Sequence, residues 1–464
     1  MKAFDYSLVK DPQYFCDNRM EAHSDHVYYR DGNEMQAAVQ DGTETSFRYS
    51  LNGLWKFHYA RNYKSTVQGF EKEDYCCYDW DDIHVPAHIQ MEGYDAPQYA
   101  NVQYPWEGHE ELHPGQIPER FNPVGSYVKY FHVPENMKGK RVFISFQGAE
   151  SGLALWLNGT FVGYSEDSFT PSEFELTEYL KEGENKLAAQ VFKWTASSWC
   201  EDQDFFRFSG IYRDVYLYTV PEVHVYDLKI RAIPDETLKK ASLEIVTKTW
   251  GKGKLKLILS RKGEILLQDE KALDGEDTCT WEILNPLLWS AEEPNLYDLD
   301  MEVYDENGML QEIIPEKVGF RRFEMKDGIM TLNGKRIVFK GVNRHEFSSV
   351  TGRHVSREEL IQDIVTMKQN NINAIRTCHY PDASLIYQLC DEYGIYMIDE
   401  TNLESHGSWD VAEFTKDYTY VVPHDKPEWL DMMLDRANSM YQRDKNHPAI
   451  LIWSCGNESF GGKD

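Results

Sequence analysis

Two β-sandwich units followed by the first half of a (β/α)8 barrel is the architecture that this 464-residue chain predicts. Three observations carry it. Up to about residue 322, short runs of alternating apolar and polar residues are separated by turn residues, the pattern of packed antiparallel sheets. From Phe323 onward, apolar runs alternate with helix-periodic segments, the pattern of a parallel sheet wrapped by helices. The last apolar run, residues 449–453 (A-I-L-I-W), reads as a buried parallel strand and leads directly into Ser454-Cys455-Gly456-Asn457-Glu458-Ser459. A carboxylate beside an amide at the end of such a strand is where barrel enzymes keep their chemistry.

Residues 1–218 form the first predicted unit. Asn158-Gly159 between the apolar runs 153–157 and 161–164 is the strongest hairpin signal in the chain. Residues 141–146, 186–194 and 214–218 supply further strands, and the long Pro-, Tyr- and Trp-rich loop 94–123 is of the kind that carries function. Residues 219–322 form the second unit, with strands over 223–233, 241–250, 255–260, 279–284 and 296–304. Their spacing suits an immunoglobulin-like sandwich. It offers no catalytic candidate and reads as a spacer.

Residues 323–464 form the third unit. A hairpin at Asn333-Gly334 leads to a first buried strand over 336–340. Ser356 and Glu359 make a capping box for a helix whose apolar residues recur through Met367. Strands over 372–376 and 395–399, helices over 382–393 (closed by Gly394) and 428–443, and the strand 449–453 complete four strands and three helices. Each strand delivers polar residues at its C-terminal end: Asn343 to Glu346, then Arg376 and His379, then Glu400, Asn402, Glu404 and His406, then Asn457 and Glu458. In a barrel these four sets converge on one face, which places an active site there.

Composition narrows the class. Lys and Arg number 48 against 77 Asp and Glu, a net charge of −29, which argues against nucleic acid and anionic membrane partners. With 14% aromatic and 41% hydrophobic residues this charge does not argue for disorder, and the rings suit a protein that stacks sugars, although most of them fill sandwich cores. The eight cysteines show no C-x-x-C spacing, so neither a disulfide framework nor a zinc site is expected. The N-terminus lacks the apolar run of a signal peptide and no stretch approaches a membrane span, so a cytoplasmic protein is expected.

Glu404, His406 and Glu458 bring two carboxylates and an imidazole together. Two adjacent acids favour either a raised pKa or a neutralising cation, and spacing alone leaves metal binding open. Glycoside hydrolysis needs an acid/base and a second carboxylate. Glu458 fits the first role, and no later strand in the chain supplies the second.

The stretch Asn446-His447-Pro448 through Ser459 resembles the acid/base signature of glycoside hydrolase family 2. Asn18-Arg19-Met20-Glu21-Ala22-His23, Asn122-Pro123-Val124-Gly125, Glu201-Asp202-Gln203-Asp204, Gly341-Val342-Asn343-Arg344-His345-Glu346 and Asp399 to Gly407 extend the resemblance along the chain, nearest to the long bacterial β-galactosidase type. It departs at Phe205-Phe206 and at Phe347-Ser348-Ser349. The resemblance implies that the first unit is a jelly-roll sugar-binding domain. It implies Glu458 as acid/base, Glu404, His406 and Glu458 around Mg²⁺, and Asp204 beside Na⁺. It also implies that Asn122, Asp204, His345, His379 and Asn457 bind the galactosyl group. The nucleophile would lie on a later strand, so the chain is expected to be the first part of a retaining β-galactosidase for lactose-type substrates, inactive alone. It would be a homo-oligomer when full length, or be completed by a C-terminal chain. The alternatives are a β-glucuronidase or β-mannosidase of the same family, or a non-catalytic carbohydrate-binding fragment.

Overall fold

The computed structural model describes residues 3–41 and 43–460; residues 1, 2, 42 and 461–464, the ends of the first and third predicted segments among them, lie outside the described residues. The first unit is a sandwich of a seven-stranded and a four-stranded antiparallel sheet. The predicted hairpin is there: Gly152–Leu157 and Thr160–Ser165 turn through Asn158 (φ 51°) and Gly159 (φ 79°), the left-handed pair a tight hairpin requires. Gly152–Leu157 is apolar at every position because both faces of its sheet are covered. Leu153, Leu155 and Leu157 pack into the sandwich with Trp55, Phe57 and Leu217. Ala154 and Trp156 pack outward against Phe70, Phe161 and Phe192. Each fully buried Leu contributes about 1.5–3 kcal/mol.

The second unit is a five-stranded antiparallel sheet built on two long strands, Lys240–Arg261 and Glu264–Leu284. Their register breaks between Lys248 and Lys252, around Gly251, where an added Cβ would lie 2.5 Å from the Glu222 carbonyl. The sequence pattern resolves these as separate short strands and passes over Leu310–Val318. The reason is polar: Glu312 is buried within that strand, accepting from His224 Nδ1 and the Val225 amide, both at 2.8 Å, so the alternation is broken.

In the third unit four parallel strands run β1 (Gly341–Arg344), β2 (Ala374–Thr377), β3 (Tyr396–Glu400) and β4 (Ile450–Ser454), in that order across the sheet. Helices α1 (Arg357–Gln369), α2 (Ser384–Tyr393), α3 (His406–Thr415) and α4 (Leu430–Asp444) connect them. The Ser356–Glu359 capping box is present, and Gly394 closes α2 at φ 76°, where a Cβ would meet the Ala291 carbonyl at 2.4 Å.

Three expectations need correction. The segment 336–340 is not the first parallel strand. Lys335–Arg336 closes a small antiparallel sheet, and Ile337 and Phe339 pack against the helix-side core as a linker, so their alternation reports packing and not a ladder. Among the described residues of the third unit the helices number four, since His406–Thr415 is helical although Gly407 weakens its first turn. The run 449–453 is not buried throughout: Ile450 and Leu451 are, but Trp453 is 37% exposed, because β4 is an edge strand of the described sheet.

Charged groups lock the third unit onto the first. Arg353 Nη1 binds both Glu150 oxygens at 2.7 and 2.8 Å, Arg213 Nη2 binds Glu346 at 2.7 Å, and Arg436 Nη1 binds Glu201 at 2.7 Å. All six side chains are buried or nearly so, where losing one partner is costly. Among the described residues no helix is long and apolar enough to cross a membrane.

Candidate active site

The four strands deliver their polar residues to one end of the sheet. At its centre Glu400 is fully buried and accepts from Arg376 Nε at 2.7 Å, Arg376 Nη2 at 2.9 Å, His379 Nδ1 at 2.8 Å and Ser454 Oγ at 2.7 Å. Burial raises its carboxyl, but the bonds from His379, Ser454 and Arg376 outweigh it and hold it below its usual value. Glu400 thereby fixes the ends of β2, β3 and β4. Arg376 Nη2 also donates to Asn457 Oδ1 at 2.9 Å, which sets the turn after β4.

That turn follows from its sequence. Gly456 sits at φ 135°, and a Cβ there would lie 2.4 Å from the Leu403 carbonyl. The close approach lets the Asn457 amide donate to that same carbonyl at 2.9 Å. Glu458 then takes a left-handed φ of 30°, with its carbonyl held by Trp409 Nε1 at 2.7 Å. The Glu458 side chain is left 48% exposed, with Oε2 2.6 Å from His406 Nδ1.

Glu404 lies behind this pair. One ligand atom each of Glu404, His406 and Glu458 falls within 4.8 Å of the others. Glu404 is 0% exposed, and neither of its oxygens has a hydrogen-bond donor at bonding geometry. Burial pushes its carboxyl up to about 8; the charges of Asp202 and Glu458 add to the rise and the nearby Asn457 amide eases it. Two orphaned, buried carboxylate oxygens facing a second carboxylate and an imidazole fit a bound divalent cation.

The first unit supplies the other wall. The segment before Phe205–Arg207 pairs with the loop after β3: the Glu404 amide donates to the Cys200 carbonyl at 2.9 Å and the Asp202 amide to the Glu404 carbonyl at 3.1 Å. Asp202 accepts from the Gly407 amide and from Arg207 Nη2, both at 2.8 Å; burial still pushes its carboxyl up to about 7. Gln203 and Asn402 are joined at 3.0 Å. Phe205 stacks on His345 at 4.3 Å between ring centroids, and His345 Nδ1 lies 3.0 Å from the Tyr380 hydroxyl. Burial lowers the His345 imidazole to about 4, with the neighbouring His379 and Arg353 contributing, so it is neutral near pH 7.

The structure thus gathers Glu404, His406, Glu458, Asn457, His379 and His345 at one end of the sheet. Asp204 stands in the adjoining loop, accepts a bond from the Tyr99 hydroxyl, and acts electrostatically on His345. Among the described residues it joins no group of three His, Cys, Asp or Glu ligands. Asn122 is not brought to the strand-end cluster: its amide is fully buried, donating to the Trp194 carbonyl at 2.9 Å and accepting from the Trp194 amide at 3.0 Å. Sequence reasoning passed over Trp409, which stacks on His406 at 4.4 Å, and the tie of Asp202 to Gly407. The acidic run 201–204 was the available signal for the second; helix α3, unforeseen, hid the first.

Comparison with known proteins gives a family for each of the three units. Residues 323–464 match the model described as "Glycosyl hydrolases family 2, TIM barrel domain". Residues 48–221 match "Glycosyl hydrolases family 2, sugar binding domain", and residues 223–321 match "Glycosyl hydrolases family 2". The chain is 52% identical over 98% of its length to a β-galactosidase of Halalkalibacterium halodurans and 50% identical over 99% to one of Streptococcus thermophilus. It spans 45% and 44% of those relatives' own lengths. It is 45% identical to a "Beta-galactosidase large subunit" of Leuconostoc lactis, of which it covers 74%. Among solved structures, a Bifidobacterium dentium β-glucuronidase complexed with coumarin-3-O-glucuronide shares the fold at a TM-score of 0.72 and 21% identity, over 89% of this chain and 69% of that one.

Proposed function

The chain belongs to glycosyl hydrolases family 2, and from that premise we propose that it carries the acid/base side of the active site of a retaining β-galactosidase acting on terminal β-D-galactosyl residues of lactose-type substrates. The observation that carries the reading is the turn after β4, which holds a half-exposed Glu458 against His406 with Glu404 buried behind it. Identity of 50–52% to β-galactosidases over nearly the whole chain supports galactose over glucuronate, because likeness to the glucuronidase structures reports fold alone.

In this reading Glu458 donates its proton to the glycosidic oxygen as the bond to the anomeric carbon breaks, and later takes one back from the water that releases the sugar. His345, His379 and Asn457 bind the galactosyl hydroxyls, Asp204 approaches from the sandwich loop, where it would hold Na⁺, and Asn122, expected on the sugar, is instead buried against the Trp194 main chain. Mg²⁺ would be held by Glu404, His406 and Glu458, where it supplies the positive charge that lets two carboxylates share a site. Glu404 lies at a nucleophile's separation from Glu458, yet it is fully buried behind it. Glu400 is held by Arg376, His379 and Ser454. We therefore assign the second carboxylate to a part of the enzyme beyond these 464 residues, on the same polypeptide in a homo-oligomer or on a complementing chain. The eight free cysteines suit a reducing cytoplasm.

The test is hydrolysis of chromogenic β-galactoside and β-glucuronide by the chain, alone and mixed with a C-terminal chain covering the rest of the relatives' length. Galactoside turnover in the mixture only is expected. Preference for the glucuronide would overturn the specificity, and turnover by the chain alone would place a nucleophile within it.

A further inference from the structure

Helix α3 starts without a cap of its own. Ser405 precedes it but makes no side-chain capping bond, and among the described residues the buried Ser405 hydroxyl has no partner. The missing acceptor comes from the first unit: Asp202 Oδ2, 205 residues earlier, accepts from the Gly407 amide at 2.8 Å. We propose that Asp202 is a positioning residue for Glu458, capping α3 from the neighbouring unit and so fixing the helical turn that presents the acid/base. This role rests on Glu458 being the acid/base.

The first amides of a helix have no acceptor within it, and a carboxylate oxygen placed there satisfies one of them and meets the positive end of the helix. Asp202 is held in place for that contact. It is fully buried, its Oδ1 accepts from Arg207 Nη2 at 2.8 Å, and Arg207 Nη1 donates in turn to the Glu201 carbonyl at 3.0 Å. The Asp202 amide donates to the Glu404 carbonyl at 3.1 Å, so side chain and main chain hold the same start of α3. The helix admits the carboxylate with a glycine. A Cβ on Gly407 would stand 3.0 Å from Asp202 Oδ2 and 2.8 Å from the Val102 carbonyl, so the residue that weakens the helix is the one that lets its cap approach.

From the cap the contacts run to Glu458. His406 and Trp409, at i and i+3, share one side of the first turn, and their rings stack at 4.4 Å. Trp409 Nε1 donates to the Glu458 carbonyl at 2.7 Å, and His406 Nδ1 lies 2.6 Å from Glu458 Oε2. One helical turn therefore grips both the main chain and the carboxylate of a residue at φ 30°, a conformation that persists only where the surroundings impose it. A shift of α3 by about 1 Å misplaces Glu458 relative to the glycosidic oxygen, and a misplacement of that size costs up to about 10²-fold in rate.

The experiment compares the complete enzyme with Asp202→Ala and with Asp202→Ala/Arg207→Met, which leaves no stranded guanidinium. Each is assayed on a galactoside with a poor leaving group and on an activated aryl galactoside. Both variants should lose at least about tenfold in kcat on the first and less than about threefold on the second, and Asp202→Ala should add no loss on top of Glu458→Gln. Equal loss on both substrates, full additivity with Glu458→Gln, or recovery of the wild-type rate in the double variant overturns the proposal. Glu458→Gln alone separates the two claims: if it slows both galactosides alike, the acid/base reading falls and the role of Asp202 with it. Hydrogen exchange of the segment 405–410 in the 464-residue chain reads the cap without the reaction. It should quicken about tenfold in Asp202→Ala while the strand Glu184–Phe192 keeps its rate, and unchanged exchange overturns the cap whatever the kinetics. Should Asp202→Ala fail to fold by circular dichroism, Gly407→Ala carries the test: the same leaving-group pattern is expected of it, and equal loss on both galactosides overturns the proposal.

Discussion

Removing the imidazole of His447 should loosen β4 by about 2 kcal/mol near pH 7 and by almost nothing at pH 10. His447 lies just before β4, with Nδ1 2.6 Å from Asp391 Oδ2 on α2; the other Asp391 oxygen accepts the Ala449 amide at 2.8 Å. The side chains are 15% and 6% exposed. Burial would lower the imidazole, but the Asp391 charge and hydrogen bond prevail and lift it from 6.5 to about 9. A folded-state pKa raised above the unfolded one stabilises fully below the unfolded value and is lost as pH rises through the folded value. The window is therefore about pH 6.5 to 9, and a shift of this size is worth at most about 3.4 kcal/mol. Partial exposure of the pair reduces that to about 2. Because the chain has several cores, a single melting temperature is a poor reporter. The assay is hydrogen exchange of the segment 446–454, corrected for intrinsic rate, in the wild-type chain and His447→Gln across pH 6 to 10. His23, raised likewise by Glu173, titrates in both proteins and cancels. A difference that stays constant across that range would show that the pair is not a charged one, and the reasoning fails.

Other outcomes follow from the site. Mg²⁺ should slow hydrogen exchange of the segments around Glu404 and Glu458 in the wild-type chain relative to chelator and leave Glu404→Gln unaffected; equal protection of both would remove Glu404 from the ligand set. In the complete enzyme, Glu458→Gln should slow galactosides with poor leaving groups by about 10²–10⁴ while sparing activated aryl galactosides, and equal loss on both counts against the acid role. Gly456→Ala should cost about 1–3 kcal/mol and displace Glu458, since its Cβ would meet the Leu403 carbonyl at 2.4 Å; unchanged hydrogen exchange of the segment 450–459 would contradict the geometry. Arg353→Met should destabilise the docked units by about 3–5 kcal/mol by stranding Glu150, and adding Glu150→Gln should recover part of that loss in a double-mutant cycle.

Much of this was legible in the sequence, and the parts that were not share a cause. Hairpins such as 157–160 and the helix capped by Ser356 are local, encoded in a few adjacent residues, and the structure reproduces them. The strand-end residues of the barrel were legible because topology alone sends them to one face. What escaped were features decided by distant partners. Leu310–Val318 carries a buried Glu312 that only His224 explains. Helix α3 begins at His406, where Gly407 in the first turn masks the helical pattern. The burial of Asn122 depends on the main chain of Trp194, 72 residues away.

The wall contributed by the sandwich loop also bears on how the protein is made. The Glu201–Arg436 pair closes over 235 residues of chain, and the Glu404 amide finds its acceptor at Cys200. A growing polypeptide completes the sandwich long before α4 exists. The early unit then offers a finished edge of hydrogen-bond donors and acceptors onto which the loop after β3 settles as it is made. Biogenesis runs from template to copy, and the long-range closure entropy that slows such contacts in refolding is lowered by synthesis from the N-terminus. Refolding of the denatured chain should accordingly be slower to recover the Glu404 environment than the sandwich core, while the nascent chain acquires them in order.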